Sequence, residues 1–200
     1  MSRIDNHKYY TQSLQRYGTR AEAVHWNSKA SQYLRFDILL SMLKDIEDAT
    51  VVDAGCGFAD LYLYLQEKGK LPHSYTGIEI MEPMAEEARK RTGCEIIVGD
   101  ILQDTLIEAD YYICSGAMNI LTRDETRLFI RRCFEASRRG FIFNILKGED
   151  ESLVYNYFQP EEIAAIAREL GAGFQIRDDY LPRDFTVLLT KTPLSVEERV

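Results

Sequence analysis

The run Val51-Val52-Asp53-Ala54-Gly55-Cys56-Gly57-Phe58-Ala59-Asp60 is the stretch best suited to chemistry. An apolar segment ends on a carboxylate, and two glycines follow, one residue apart. Glycine permits turns and a close approach that other residues resist. A helix opening after such a turn leaves backbone N–H groups free to donate. A nucleotide-like ligand is therefore expected over Ala54, Gly55, Cys56 and Gly57. Asp53 suits a cationic group on that ligand. The third glycine of the dinucleotide fingerprint is replaced by Asp60, a poor neighbour for a pyrophosphate. A phosphate loop of the GxxxxGK[ST] type is absent.

Two further acids end apolar runs. Glu79, followed by Ile80, is placed to accept hydrogen bonds from both hydroxyls of a ribose. Nicotinamide enzymes use an acid in the same way, so Glu79 alone does not discriminate. In Gly99-Asp100-Ile101, the carboxylate can accept from the amino group of an adenine while Ile101 packs on the ring.

These residues need a scaffold that brings strand ends together. From Thr50 onward, short apolar runs alternate with helical patterns, which predicts βαβ units and a parallel sheet. Strands are predicted at 50–54, 75–80, 95–98, 109–114 and 140–146, with helices between these first five. The helices include one from Phe58 to Lys68 and one opened by the capping box Thr122-x-x-Glu125 and reaching about Arg138. A further helix starts at Pro160 and stops at Gly171. Two last strands, about 174–180 and 184–191, flank Leu181-Pro182-Arg183 and suggest an antiparallel hairpin. Before the first strand, Leu34, Ile38, Leu39, Met42, Leu43 and Ile46 mark one face of a helix that Asn27 or Ser28 can cap.

Asp53-x-Gly55-x-Gly57, then Glu79, then Gly99-Asp100, resembles the ordered signature of class I S-adenosylmethionine-dependent methyltransferases, over roughly residues 50–191. The resemblance implies a Rossmann-like α/β fold with a seven-stranded, mostly parallel sheet of order 3-2-1-4-5-7-6. Its last strand is antiparallel, and helices cover both faces. It implies that Asp53 and the glycine turn hold the methionine part of S-adenosylmethionine, Glu79 the ribose, and Asp100 and Ile101 the adenine. Ser115, at the end of the fourth strand, joins this set. Where the family often has a further glycine, Ala59 stands. The leader, with Tyr17-Gly18, Trp26-Asn27-Ser28, Gln32 and Arg35-Phe36, resembles that of a bacterial subgroup of these enzymes, uncharacterised in function. Trp26 and Arg35 are therefore expected at the cofactor, Arg35 on the methionine carboxylate. The expected division is a helical extension at 1–48 covering the cofactor site, a methyltransferase domain at 49–192 and a tail at 193–200.

Bulk properties bound the partners. The 200 residues carry a net charge of −8, which argues against general nucleic-acid binding. The densest basic group, Arg131, Arg132, Arg138 and Arg139, reads as a solvated helix face and helix end. No apolar stretch approaches the roughly 20 residues that span a bilayer, and Met1–Gln12 lacks a signal-peptide pattern, which favours the cytoplasm. Cys56, Cys94, Cys114 and Cys133 form no metal-like spacing, so reduced thiols and no metal are expected. The acceptor site is expected beyond the fourth strand, at 115–119. Asn119, His7, His25 and Tyr157 are candidate contacts, and a polar loop from Gly148 to Gln159 is a candidate lid. No catalytic base is identifiable, because transfer to a free lone pair needs none. A small-molecule acceptor is the leading reading. The alternatives are a nicotinamide-dependent oxidoreductase and a non-catalytic module that binds the cofactor or its product. Oligomeric state is not legible.

Overall fold

Short runs rich in β-branched and aromatic residues form seven strands, and segments with a 3.6-residue apolar period form the helices that cover them. A computed structural model describes residues 29–149 and 154–192. The strands are β1 (Thr50–Ala54), β2 (Ser74–Glu79), β3 (Glu95–Val98), β4 (Ala109–Ser115), β5 (Ser137–Leu146), β6 (Gly173–Arg177) and β7 (Asp184–Thr190). The helices are α1 (Lys29–Met42), α2 (Asp60–Lys68), α3 (Glu82–Thr92), α4 (Arg123–Ala136) and α5 (Pro160–Glu169). One sheet has the order β3-β2-β1-β4-β5-β7-β6. The first five strands are parallel, and β7 runs antiparallel to both neighbours. This is the expected Rossmann-like architecture. The chain order reverses between β1 and β4, the place where open α/β sheets bind ligands.

Strand alternation divides the interior into two cores. Val52, Ala54, Tyr112, Cys114, Phe141, Phe143, Ile145, Phe185, Val187 and Leu189 face α4 and α5, whose Phe129, Ile130, Ile163 and Ile166 join the same cluster. Val51, Ile113, Ile142 and Leu188 face the other way, with Phe36, Leu39, Leu61, Tyr64, Ala85 and Ala88 from α1, α2 and α3. On this second face the pattern changes at the carboxyl ends. Period-2 alternation puts Glu79, Asp53, Ser115, Asn144 and Thr186 there, a polar row running across β2, β1, β4, β5 and β7. Ser115 and Asn144 are paired across the β4–β5 ladder and hydrogen-bonded through their side chains, Asn144 Nδ2 to Ser115 Oγ at 3.0 Å.

Several boundaries differ from the sequence reading. The helix expected from Phe58 starts at Asp60, because Gly57 and Ala59 are left-handed, each with φ of 57°. The helix expected to reach Arg138 ends at Ala136, and β5 begins at Ser137. Arg138 and Arg139 therefore lie on a strand, where both pair with Asp110, rather than at a helix end. Arg131 is exposed on α4 and Arg132 donates to the Asp104 carbonyl. β6 stops at Arg177, which turns to pair with Asp179. No helix joins β3 to β4. That short connection is a turn in which Asp100 N donates to Asp104 Oδ2 at 2.8 Å. The capping box at Thr122 forms as expected, Glu125 Oε2 accepting from Thr122 N at 2.9 Å. Asn27 and Ser28, the expected caps of α1, lie outside the described residues, as does the 193–200 tail. Among the described residues no helix is long and apolar enough to cross a membrane.

Candidate functional site

A cavity of about 340 Å³ lies at the switch point, over the carboxyl ends of β1, β2, β4 and β5. The glycine turn forms one wall. Gly55, with φ of 77°, donates its N–H to Ile78 O at 2.8 Å, so the turn is fastened to the end of β2. A Cβ on Gly55 would fall 2.4 Å from Ala117 Cβ. The close approach there is thus made by the segment after β4, not by a ligand alone.

Two buried carboxylates sit beside this turn. Asp53 is 3% exposed and accepts from the Tyr75 hydroxyl at 2.7 Å. Burial pushes its carboxyl up to about 7, with the Tyr75 hydrogen bond opposing and nearby Glu79 and Asp60 reinforcing the rise. Glu79 is 5% exposed. Its Oε2 accepts from Gly57 N and its Oε1 from Met81 N, each at 2.9 Å. Burial raises its pKa as well, and those backbone donors pull it back. Glu79 thereby ties β1's turn to the start of α3. Asp60, at the first turn of α2, is held by Gln32 Nε2 at 3.1 Å and Arg91 Nη2 at 2.7 Å. Asp100 closes its own turn, accepting from Leu102 N at 2.8 Å and Gln103 Nε2 at 2.7 Å.

The opposite wall is built by α1 and by the ends of β5 and β7. Arg35 is 8% exposed and grips Asp184 with two hydrogen bonds, Nε to Oδ1 at 3.1 Å and Nη2 to Oδ2. Burial raises the Asp184 pKa and Arg35 opposes the rise. The segment 154–158 alternates: Asn156 and Phe158 are buried, and Tyr155 and Tyr157 line the cavity. Asn156 N donates to Asn119 O at 2.7 Å and its Nδ2 to Thr126 Oγ1 at 3.0 Å. Arg123 clamps the same segment, donating to Tyr157 O at 2.7 Å and lying 4.3 Å from the Phe158 ring centre.

Asp53, Gly55, Cys56, Gly57, Glu79, Ile80, Asp100, Ile101, Ser115 and Arg35 all line this one cavity. Ala54 does not. Strand alternation turns its methyl into the core shared with Val52. Trp26, His7 and His25 lie outside the described residues. Asn119 and Tyr157 line the cavity, as expected for acceptor contacts. Of the loop expected as a lid, residues 150–153 lie outside the described residues. Three contributors went unread in the sequence. Tyr75 was hidden as an ordinary strand residue, although its alternation with Asp53's neighbours on β2 was visible. Arg183 and Asp184 follow a proline in a hairpin connection and carry no local signal. Cys56, Cys94, Cys114 and Cys133 are all free thiols, and burial pushes the Cys56 thiol up, so it is a packing group.

Residues 51–140 match a family described as a methyltransferase domain. No curated protein matches the chain by sequence. Among solved structures, the magnesium protoporphyrin IX methyltransferase of Synechocystis PCC 6803, with S-adenosylhomocysteine bound, superposes with a TM-score of 0.74 at 14% identity. The match covers 93% of this chain and 98% of that one. An O-methyltransferase family protein from Burkholderia thailandensis superposes with a TM-score of 0.70 at 16% identity, over 94% of this chain and 64% of that one. At such identities the likeness is one of fold.

Proposed function

We propose that this chain, whose residues 51–140 match a methyltransferase-domain family and whose seven-stranded sheet has the strand order 3-2-1-4-5-7-6, binds S-adenosylmethionine and transfers its methyl group to a small molecule. The observation that carries the reading is the acidic wall: Asp53 and Glu79, both buried, with Asp60 and Asp100 beside them on the same cavity. A dinucleotide would bring a pyrophosphate against these carboxylates. A ligand carrying an ammonium and a sulfonium is favoured by them.

In this reading Asp53 faces the ammonium, and Glu79, anchored by Gly57 N and Met81 N, offers its remaining lone pairs to the ribose hydroxyls. Ile80 and Ile101 flank the adenine, and the Asp100 turn supplies its polar edge. Ser115 stands between the cofactor and acceptor ends. The cofactor supplies a methyl group on positively charged sulfur, open to in-line displacement. The protein's part is to position the acceptor and exclude water. Gln32, Arg35 and Phe36 line the cavity from α1, which supports a leader at 1–48 that covers the cofactor ahead of a domain at 49–192. Four free thiols support a reducing, cytoplasmic setting, and the net charge of −8 speaks against a nucleic-acid acceptor.

The test is titration calorimetry with S-adenosylmethionine, S-adenosylhomocysteine and NADH. Binding of the first two, reduced at least about tenfold by Glu79→Ala through the lost ribose hydrogen bonds, is expected. Binding of NADH instead would overturn the reading. Cofactor binding without turnover of any acceptor would make the chain a binding module.

A further inference from the structure

The cavity is electrically divided. At the end under β1 and β2 the lining residues include Asp53, Glu79 and Asp100 and no cation. At the end under β5 and β7 they include Arg35, Arg183 and Asp184. Asp184 is already matched by the two-pronged grip of Arg35. Arg183, the adjoining residue, is exposed at the rim, and no carboxylate pairs with it among the described residues. Tyr155 and Tyr157 line the same cavity. Those two tyrosines are held in place by the buried Asn156 and Phe158 between and after them.

From this arrangement we infer that the methyl acceptor is a small aromatic molecule bearing a single carboxylate, with the carboxylate seated on Arg183. The inference rests on the proposed cofactor reading for which end of the cavity is left to the acceptor. The guanidinium is a planar fork that matches a carboxylate bidentately. Tyr155 and Tyr157 supply faces and edges for a ring.

The experiment is calorimetry on the full chain saturated with S-adenosylhomocysteine, titrated with 4-hydroxybenzoate, its neutral amide 4-hydroxybenzamide, and the cation tyramine. The benzoate is expected to bind at least tenfold more tightly than the amide, and tyramine to bind more weakly than either. Arg183→Ala should lower benzoate affinity about tenfold or more while leaving the amide and S-adenosylhomocysteine unchanged. Arg183→Lys should retain part of the difference. Equal binding of benzoate and amide overturns the inference. So does an unchanged benzoate affinity in Arg183→Ala, or no benzoate binding to the saturated protein. If S-adenosylhomocysteine itself does not bind, the cofactor reading fails separately, and the same titrations on the unsaturated protein decide whether Arg183 selects an anion.

Discussion

Asp53 combines deep burial with a position facing the expected cation. Its carboxyl, ordinarily near 3.8, stands at about 7 in the fold. Between those values the folded state holds a proton that the unfolded chain has released. Its contribution to stability is therefore fullest below about pH 4 and is lost as pH rises through about 7. A bound cation reverses the preference. Affinity for S-adenosylhomocysteine should rise about fivefold between pH 6 and 7 as Asp53 ionises, and Asp53→Asn should flatten that slope in calorimetry. Ala59 makes a second case at this scale. A left-handed alanine costs roughly 1–2 kcal/mol, and Ala59→Gly would relieve that. The change also gives up a buried methyl worth about 0.8 kcal/mol and adds about 0.4–1 kcal/mol of freedom to the unfolded chain. The terms nearly cancel, so urea unfolding should show a change under about 1 kcal/mol, which explains how alanine serves where the resembled family often has glycine. The acids were legible in the sequence because each ends an apolar run. Tyr75 was not, because only folding aligns its hydroxyl with Asp53.

Among the elements, α4 shows how local chemistry fixes an end. Thr122 and Glu125 exchange hydrogen bonds across its first turn, satisfying donors that the helix cannot. Thr122→Ala should cost about 1 kcal/mol, read as a lower urea midpoint with an unchanged slope. That start was visible as a four-residue pattern. The other end was not. β5 begins at Ser137, immediately after Ala136, with no glycine or proline to mark the change. Ser137 supplies the stop itself, its Oγ donating to Phe134 O at 2.7 Å. The missing helix between β3 and β4 has a similar cause, for Asp100 and Asp104 spend their polar atoms closing a turn. The seven strands were readable from the alternation of apolar runs, since each strand's burial pattern is local, whereas their order came only with the resemblance to class I methyltransferases.

At the scale of the whole molecule, the contact between Arg35 and Asp184 joins the first described helix to the last strand. The two residues are 149 positions apart, and neither carries a sequence pattern that announces the other. Breaking the pair from one side leaves a buried charge. Arg35→Ala should destabilise by about 3–5 kcal/mol, measured by thermal unfolding, whereas the double change Arg35→Met with Asp184→Leu should recover most of that loss. The order of strands adds a second long-range demand, because β7 lies between β5 and β6 although it is made last. On the ribosome, α1 emerges early with Phe36, Leu39 and Met42 seeking cover. Its carboxylate partner and the strand that receives it follow well over a hundred residues later. The cavity wall is therefore completed only after all the other described strands have been made, and a nascent chain has no finished pocket to fill until β7 slots between its two neighbours.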